Sequence, residues 1–281
     1  MPQQTAAQYL AEVTAKYTPS SSQFDGAKGH KGSIQTRLEQ TFGLHEMFET
    51  GSLRHGTGVW IFSDADYMAS LKGIKPSSEW TTLNKVKEDL QARFPGTTIV
   101  VRRPAVVCKF SDGDVEVTPA YRNLTSSGMQ DGYWIPDPRG GWMKTHPKDH
   151  NAYVNNANQK HNGAAKKLAR QVKTWKYKRS VPVSSCYLEM RAAKYAAGES
   201  SWLPVVDLYR FLNSVLDHSF ASMNDPTGLG SRFNATSSDS NQSDAMSKLS
   251  RAVTRARKAK DFVSDGEHVS AIEQLKLLFN Q

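Results

Sequence analysis

The chain has 281 residues, enough for one large domain or two tightly packed ones. Hydrophobic residues make up 38% with no uninterrupted run that approaches a membrane span, and Cys108 and Cys186 are too few for a disulfide framework or a Cys-rich zinc site. A formal net charge of +9 attracts polyanions, whether nucleoside triphosphates, RNA or DNA, and a surface with spare lysines accounts for the excess equally well.

The opening, MPQQTAAQYLAEV, lacks the basic, apolar, small-residue order of a secretory leader, so a cytoplasmic protein with reduced thiols is expected. Ala6, Tyr9, Leu10, Val13 and Tyr17 recur at helical spacing over residues 4–17, and Thr18-Pro19 ends that helix. A second helix is expected over 33–41, leading into the turn at Gly51-Ser52. Residues 50–66, TGSLRHGTGVWIFSDAD, read as turn, short helix and strand. Gly51-Ser52 opens the helix, Gly56-Thr57-Gly58 closes it, and Val59 to Phe62 forms an apolar strand with Asp64 and Asp66 at its end. A helix follows over 78–94, broken by Pro95-Gly96, then strands over 97–103 and 105–110. Asp112-Gly113 is a hairpin turn into a strand at 114–118. One helix followed by meandering strands predicts an α+β fold with a small mixed sheet. From 124 to 149, Gly, Pro and Trp predict a long functional loop and a domain boundary, with Trp134 and Trp142 pinning that loop or stacking on a base. Beyond Asn151 the pattern is helical: 164–178, 202–220, a basic helix with Arg251, Arg255, Arg257, Lys258 and Lys260, and 269–279. Residues 225–244, rich in Ser, Asn and Gly, predict a mobile loop. The division is therefore a palm at 1–149, N-terminal helices included, and a helical domain at 150–281.

Side chains at i and i+2 of a strand share a face, so Asp64 and Asp66 project together. Two such carboxylates make a hard oxygen site suited to Mg²⁺. Gly51-Ser52 presents backbone N–H groups and a hydroxyl to phosphate, with a helix N-terminus behind it. On 114–118 the valines alternate with Asp114, Glu116 and Thr118, a half-buried strand whose polar face supplies a third carboxylate.

GSLRHGTGVWIFSDADYMASL and VEVTPAY resemble the nucleotidyltransferase core of the polymerase-beta-like superfamily, and more narrowly the bacterial cGAS/DncV-like nucleotidyltransferases of anti-phage signalling. The likeness continues through YWIPDPRGGWMKTHPKDH, LARQVKTWKYK and SSCYLEM. It implies a polymerase-beta-like palm packed against a C-terminal helical domain that completes the nucleotide cleft. It also implies two Mg²⁺ or Mn²⁺ ions on Asp64, Asp66 and Glu116, and a donor triphosphate gripped by Gly51, Ser52, Lys173 and Ser185. Similar enzymes carry Asp where Glu116 stands, so either the pocket is adjusted or Asp114, on the same strand face, shares the task. The implied activity joins ATP, GTP or pyrimidine triphosphates into cyclic or linear di- or trinucleotides that act on a separate effector. A monomer is expected, with nucleic acid not required. The rival expectations are a transferase acting on RNA or another hydroxyl acceptor, and a silent nucleotide or nucleic-acid sensor.

Overall fold

The structure is a computed structural model that describes residues 4–62 and 64–281. Its sheet has seven strands: β1 (Leu44–Glu49), β2 (Ala65–Leu71), β3 (Thr98–Arg102), β4 (Ala105–Phe110), β5 (Gly113–Leu124), β6 (Gln130–Pro136) and β7 (Trp142–Thr145). The order is β1-β2-β5-β4-β3, with β6 on the far half of β5 and β7 on β6. β2 and β5 run parallel; the remaining pairs are antiparallel. In that parallel register Asp66 pairs with Glu116. Alternation buries Val115 and Val117 in one core with Ala27 of α2 (Asp25–Gly29), Ile34 and Leu38 of α3 (Lys31–Phe42) and Leu83, Val86 and Leu90 of α5 (Glu79–Arg93). One face of the sheet is thus filled by aliphatic side chains, and Glu116 is left on the other.

A second core is helical. α6 (Pro147–Lys160), α7 (Ala164–Lys178), α8 (Ser185–Gly198), α9 (Pro204–Asp217), α10 (Asp239–Ser264) and α11 (His268–Phe279) contribute Leu168, Val172, Leu188, Leu212, Leu249 and Leu275 to it. The first helix, α1 (Ala6–Lys16), packs here as well, through Leu10 and Val13, and Tyr9 donates to Gln281 Oε1 at 2.9 Å. The α+β class, palm plus helical half, is as expected from the sequence.

Three local expectations are corrected. Val59 to Phe62 is not a strand: Val59 is buried in the helical core, Phe62 stacks on Tyr177 at 4.8 Å, and Trp60 N bonds the Tyr17 carbonyl at 2.8 Å. The run is apolar because it straps the palm to the helices, and Ile61, at φ 67°, turns the chain there. The strand starts at Ala65, so Asp64 and Asp66 sit at a strand beginning; Ser63 lies outside the described residues. Second, 124–149 is not a loop but holds β6 and β7, with Trp142 edge-on to Tyr121 and Trp134 donating to Asn123 at 2.9 Å. Third, within 225–244 the Asp225 carboxylate accepts from His150, Thr227 and Gly230, and from Asp239 the chain is already α10. The segment is pinned rather than loose.

Candidate active site

Between the palm and the helices lies a cleft of about 470 Å³ whose lining includes Gly51, Ser52, Asp64, Asp66, Glu116, Lys173 and Ser185. Gly51 opens a short helix, α4 (Gly51–Arg54), directly beside β2. The Thr50 N–H bonds the Asp66 carbonyl at 2.9 Å, and the Ser52 N–H bonds the Asp66 carboxylate. Gly51 adopts φ +64°, and a Cβ there would lie 2.2 Å from Asp66 Oδ2, so the close approach requires glycine. Asp64 and Glu116 are bridged by the Arg102 guanidinium, which donates to Asp64 Oδ2 at 2.8 Å and to Glu116 Oε1. Asp114, on the same strand face, is not among the residues that line the cleft.

The electrostatics fit a site built for added positive charge. Burial and the neighbouring Asp64 push the Asp66 carboxyl up to about 7, against the pull of Lys173. Burial also raises Asp64, with Arg102 opposing. From the helical side, burial and then Lys173 and Arg102 bring the Lys176 ammonium down to about 8. Lys176 donates to Ser185 Oγ at 2.5 Å, and Tyr177 OH lies 3.1 Å from the same oxygen. Ser184, Ser185 and Cys186 form the start of α8 and line the cleft, so the N-terminus of a 14-residue helix lies beside it.

Lys173 is placed differently from a free phosphate-gripping side chain. It is fully buried, and its Nζ donates to the Thr57 carbonyl at 3.0 Å and to Glu189 Oε2 at 3.3 Å. Glu189 also accepts from His55 Nδ1 and Thr57 Oγ1, and these partners, His55 and Lys173 foremost, hold its carboxyl far below the usual range despite burial. Arg170 donates to the carbonyls of Gly58 and Gly56 at 2.9 and 2.8 Å. Arg170 and Lys173 of α7 thus grip the Gly-Thr-Gly loop rather than face solvent. Lys176 and Arg102 are the functional candidates that sequence reading missed. Lys176 is one lysine among several on α7, and Arg102 sits at a strand end with no motif around it.

A sequence model of the second messenger oligonucleotide or dinucleotide synthetase domain matches residues 5–158, more than half of the chain. The chain belongs to this family. A probable cyclic nucleotide synthase of Bacillus cereus (strain VD146) is 26% identical over 202 residues, which is 70% of this chain and 61% of the relative. The matched stretch thus spans less than two thirds of that protein. Among solved structures, CdnC of E. coli MS115-1 with ATP is similar over 98% of both chains, at 15% identity and a TM-score of 0.71. DncV of Vibrio cholerae, described as a cyclic AMP-GMP synthase and a prokaryotic cGAS homolog, is similar over 98% of this chain and 96% of its own, at 13% identity and a TM-score of 0.70. CdnC and DncV share the fold, and the resemblance to cGAS/DncV-like nucleotidyltransferases holds.

Membership in the synthetase family implies dependence on a divalent metal ion. The residues present fit one. Asp64, Asp66 and Glu116 offer carboxylate oxygens on adjacent strands, and the raised pKa values of the first two mark a cost of burial that a cation relieves. Among the described residues no three acidic, His or Cys side chains are gathered closely enough to enclose an ion as they stand, and Arg102 stands between two of the acids. The Arg102 side chain is 58% exposed and has room to swing outward. No helix of the described residues is long and apolar enough to cross a membrane.

Proposed function

We propose that this chain is a metal-dependent nucleotidyltransferase that condenses nucleoside triphosphates into a cyclic or linear di- or trinucleotide second messenger and releases pyrophosphate. The carrying observation is one cleft with three carboxylates on the parallel β2–β5 pair facing Lys176, Ser185 and the start of α8. The similar proteins support the product class: one is named a probable cyclic nucleotide synthase, one a cyclic AMP-GMP synthase, and one was solved with ATP. Substrates are accordingly ATP, GTP or pyrimidine triphosphates, a cytoplasmic pool. The product acts on a separate effector in anti-phage defence. We take a monomer as the working unit, with a palm at 1–149, whose α1 packs on the helices, and a helical domain at 150–281.

Asp64, Asp66 and Glu116 would hold two Mg²⁺ or Mn²⁺ ions, which neutralise phosphate charge and activate the attacking ribose hydroxyl when bound. The chain's own groups do the positioning that such transfers depend on. Ser52, at the tight turn, and Ser185 offer hydroxyls to the donor triphosphate, and the first N–H groups of α8 favour its negative charge. Lys176 supplies an ammonium at the mouth of that grip, and a phosphate beside it raises its pKa and keeps it charged. Lys173 supports the floor through Thr57 and Glu189. The stacked Phe62 and Tyr177 rings close the side of the cleft next to Ser185.

The deciding experiment incubates purified protein with each nucleoside triphosphate, singly and mixed, with Mg²⁺ or Mn²⁺, beside Asp64→Ala/Asp66→Ala. Mass spectrometry is expected to show a phosphatase-resistant oligonucleotide from the wild type, and none from the double variant. A wild type that consumes triphosphate only when RNA or another hydroxyl acceptor is added would overturn the second-messenger reading.

A further inference from the structure

Away from the cleft, α7, α10 and α11 enclose a smaller pocket of about 210 Å³. Trp175 and Leu278 are among its apolar walls, and Arg179, Lys248, Arg251 and Arg255 bring four cations to it. The acid that touches the cluster among the described residues is Asp244, one turn before Lys248 and 2.7 Å from its Nζ. None of the three arginines has a carboxylate within ion-pair distance among the described residues. Arg179 and Arg255 both donate to the Leu277 carbonyl, Arg179 reaches the Leu278 carbonyl at 3.3 Å, and Lys248 the Ser180 carbonyl at 2.9 Å. These carbonyls sit at helix ends and offer partial negative charge only. They gather the cations without neutralising them: burial and the adjacent Arg255 hold the Arg179 guanidinium below its ordinary range.

We propose that this pocket binds a phosphate group, carried by a small polyphosphate or by a nucleic-acid backbone. Guanidinium forks match phosphate oxygens in pairs, which a lysine patch does not achieve. The volume is below the roughly 300–1,000 Å³ of sites for drug-sized ligands, so it takes one or two phosphoryl groups and leaves the remainder of the ligand outside. The apolar walls strengthen the attraction by excluding water. Arg251 is exposed and makes no side-chain hydrogen bond or ion pair among the described residues, so it is available to the incoming anion. Trp175 lines this pocket while Lys173 and Lys176, on the same helix, line the cleft, so occupancy is placed to be felt there.

Two probes test the assignment on the whole chain without divalent ions: inorganic pyrophosphate by calorimetry and a short DNA duplex by fluorescence anisotropy. Arg251→Glu is expected to weaken one of them about tenfold or more, with an unchanged melting temperature, while Lys176→Ala leaves that loss intact. Arg251→Gln gives the same sign without charge reversal. Dependence of pyrophosphate on Arg251 identifies a small-anion site. Dependence of the duplex alone identifies a nucleic-acid backbone, with the salt slope falling by about one for the neutral variant. If both probes bind the Arg251 variants as they bind the wild type, or neither binds at all, the arginines merely cap helix ends and the assignment fails.

Discussion

At the scale of single residues, Gly51 is where the cleft tolerates least. A left-handed φ costs an alanine about 1–2 kcal/mol, and its Cβ would lie 2.2 Å from Asp66 Oδ2, within the atoms' contact distance. Gly51→Ala therefore displaces Asp66 and is expected to slow nucleotide transfer about 10²-fold or more. Gly96→Ala, with no positive φ and nothing within 4 Å of the added carbon, serves as the control. Equal rates in the two variants would refute the steric account. The same residues were the legible ones: Gly51, Ser52, Asp64 and Asp66 are spaced so that chain geometry alone gathers them, and alternation marked the polar face of 114–118, from which resemblance selected Glu116. Ser185 and Lys173 came from resemblance, and both line the cleft, but the Lys173 ammonium is tied to Thr57 and Glu189. Lys176 and Arg102 could not be read, because what distinguishes each is a contact that only the folded chain makes: Ser185 across the turn between α7 and α8 for one, Asp64 and Glu116 on neighbouring strands for the other.

At the scale of elements, the Gly-Thr-Gly loop is held to α7 and α8 by one buried carboxylate. Glu189 carries the charge that compensates Lys173 and accepts from both His55 and Thr57. Glu189→Gln keeps the shape but leaves the Lys173 ammonium buried without its counter-charge, which costs about 3 kcal/mol and lowers the melting temperature by roughly 6–12 °C. An unchanged melting temperature would mean that the loop is anchored by Arg170 alone. Helices such as α1, α5 and α7 were legible within a residue or two, as was the turn between β4 and β5, although β5 runs on to Leu124, well past the expected 118. What misled was composition. β6 and the turn into β7 carry the Gly and Pro of a loop, yet β6 pairs with the far half of β5 and β7 with β6, and this ladder replaces the missing local preference. The Val59–Phe62 run has the apolarity of a strand, but its burial is supplied by helices.

At the scale of the whole molecule, the two cores are stitched together by the segment after α9. Ser231 and Lys144 of β7 exchange two hydrogen bonds of 3.0 Å, and the Ala235 carbonyl accepts from Ser184 N, at the N-cap of α8, at 2.7 Å. The knot in this clasp is Asp225, whose buried carboxylate accepts from His150 Nε2 at 2.7 Å and from the N–H groups of Thr227 and Gly230 at 2.9 Å each. These donors, the His150 ring first, outweigh burial and hold its carboxyl down to about 2 against an ordinary 3.8. The folded form thus binds a proton less readily than the unfolded form. The stabilisation is complete above the ordinary value and is lost as pH falls toward 2, about 2 kcal/mol in all. Asp225→Asn is expected to melt below the wild type at pH about 6, and the gap to close as the pH is lowered toward 2. A gap that stays constant over that range would show that the charge of Asp225 contributes nothing and that only the shape of the turn matters. Because the clasp ends at the N-cap of α8, the closing gap should be matched by weaker triphosphate binding at low pH in the wild type than its own phosphate titration explains.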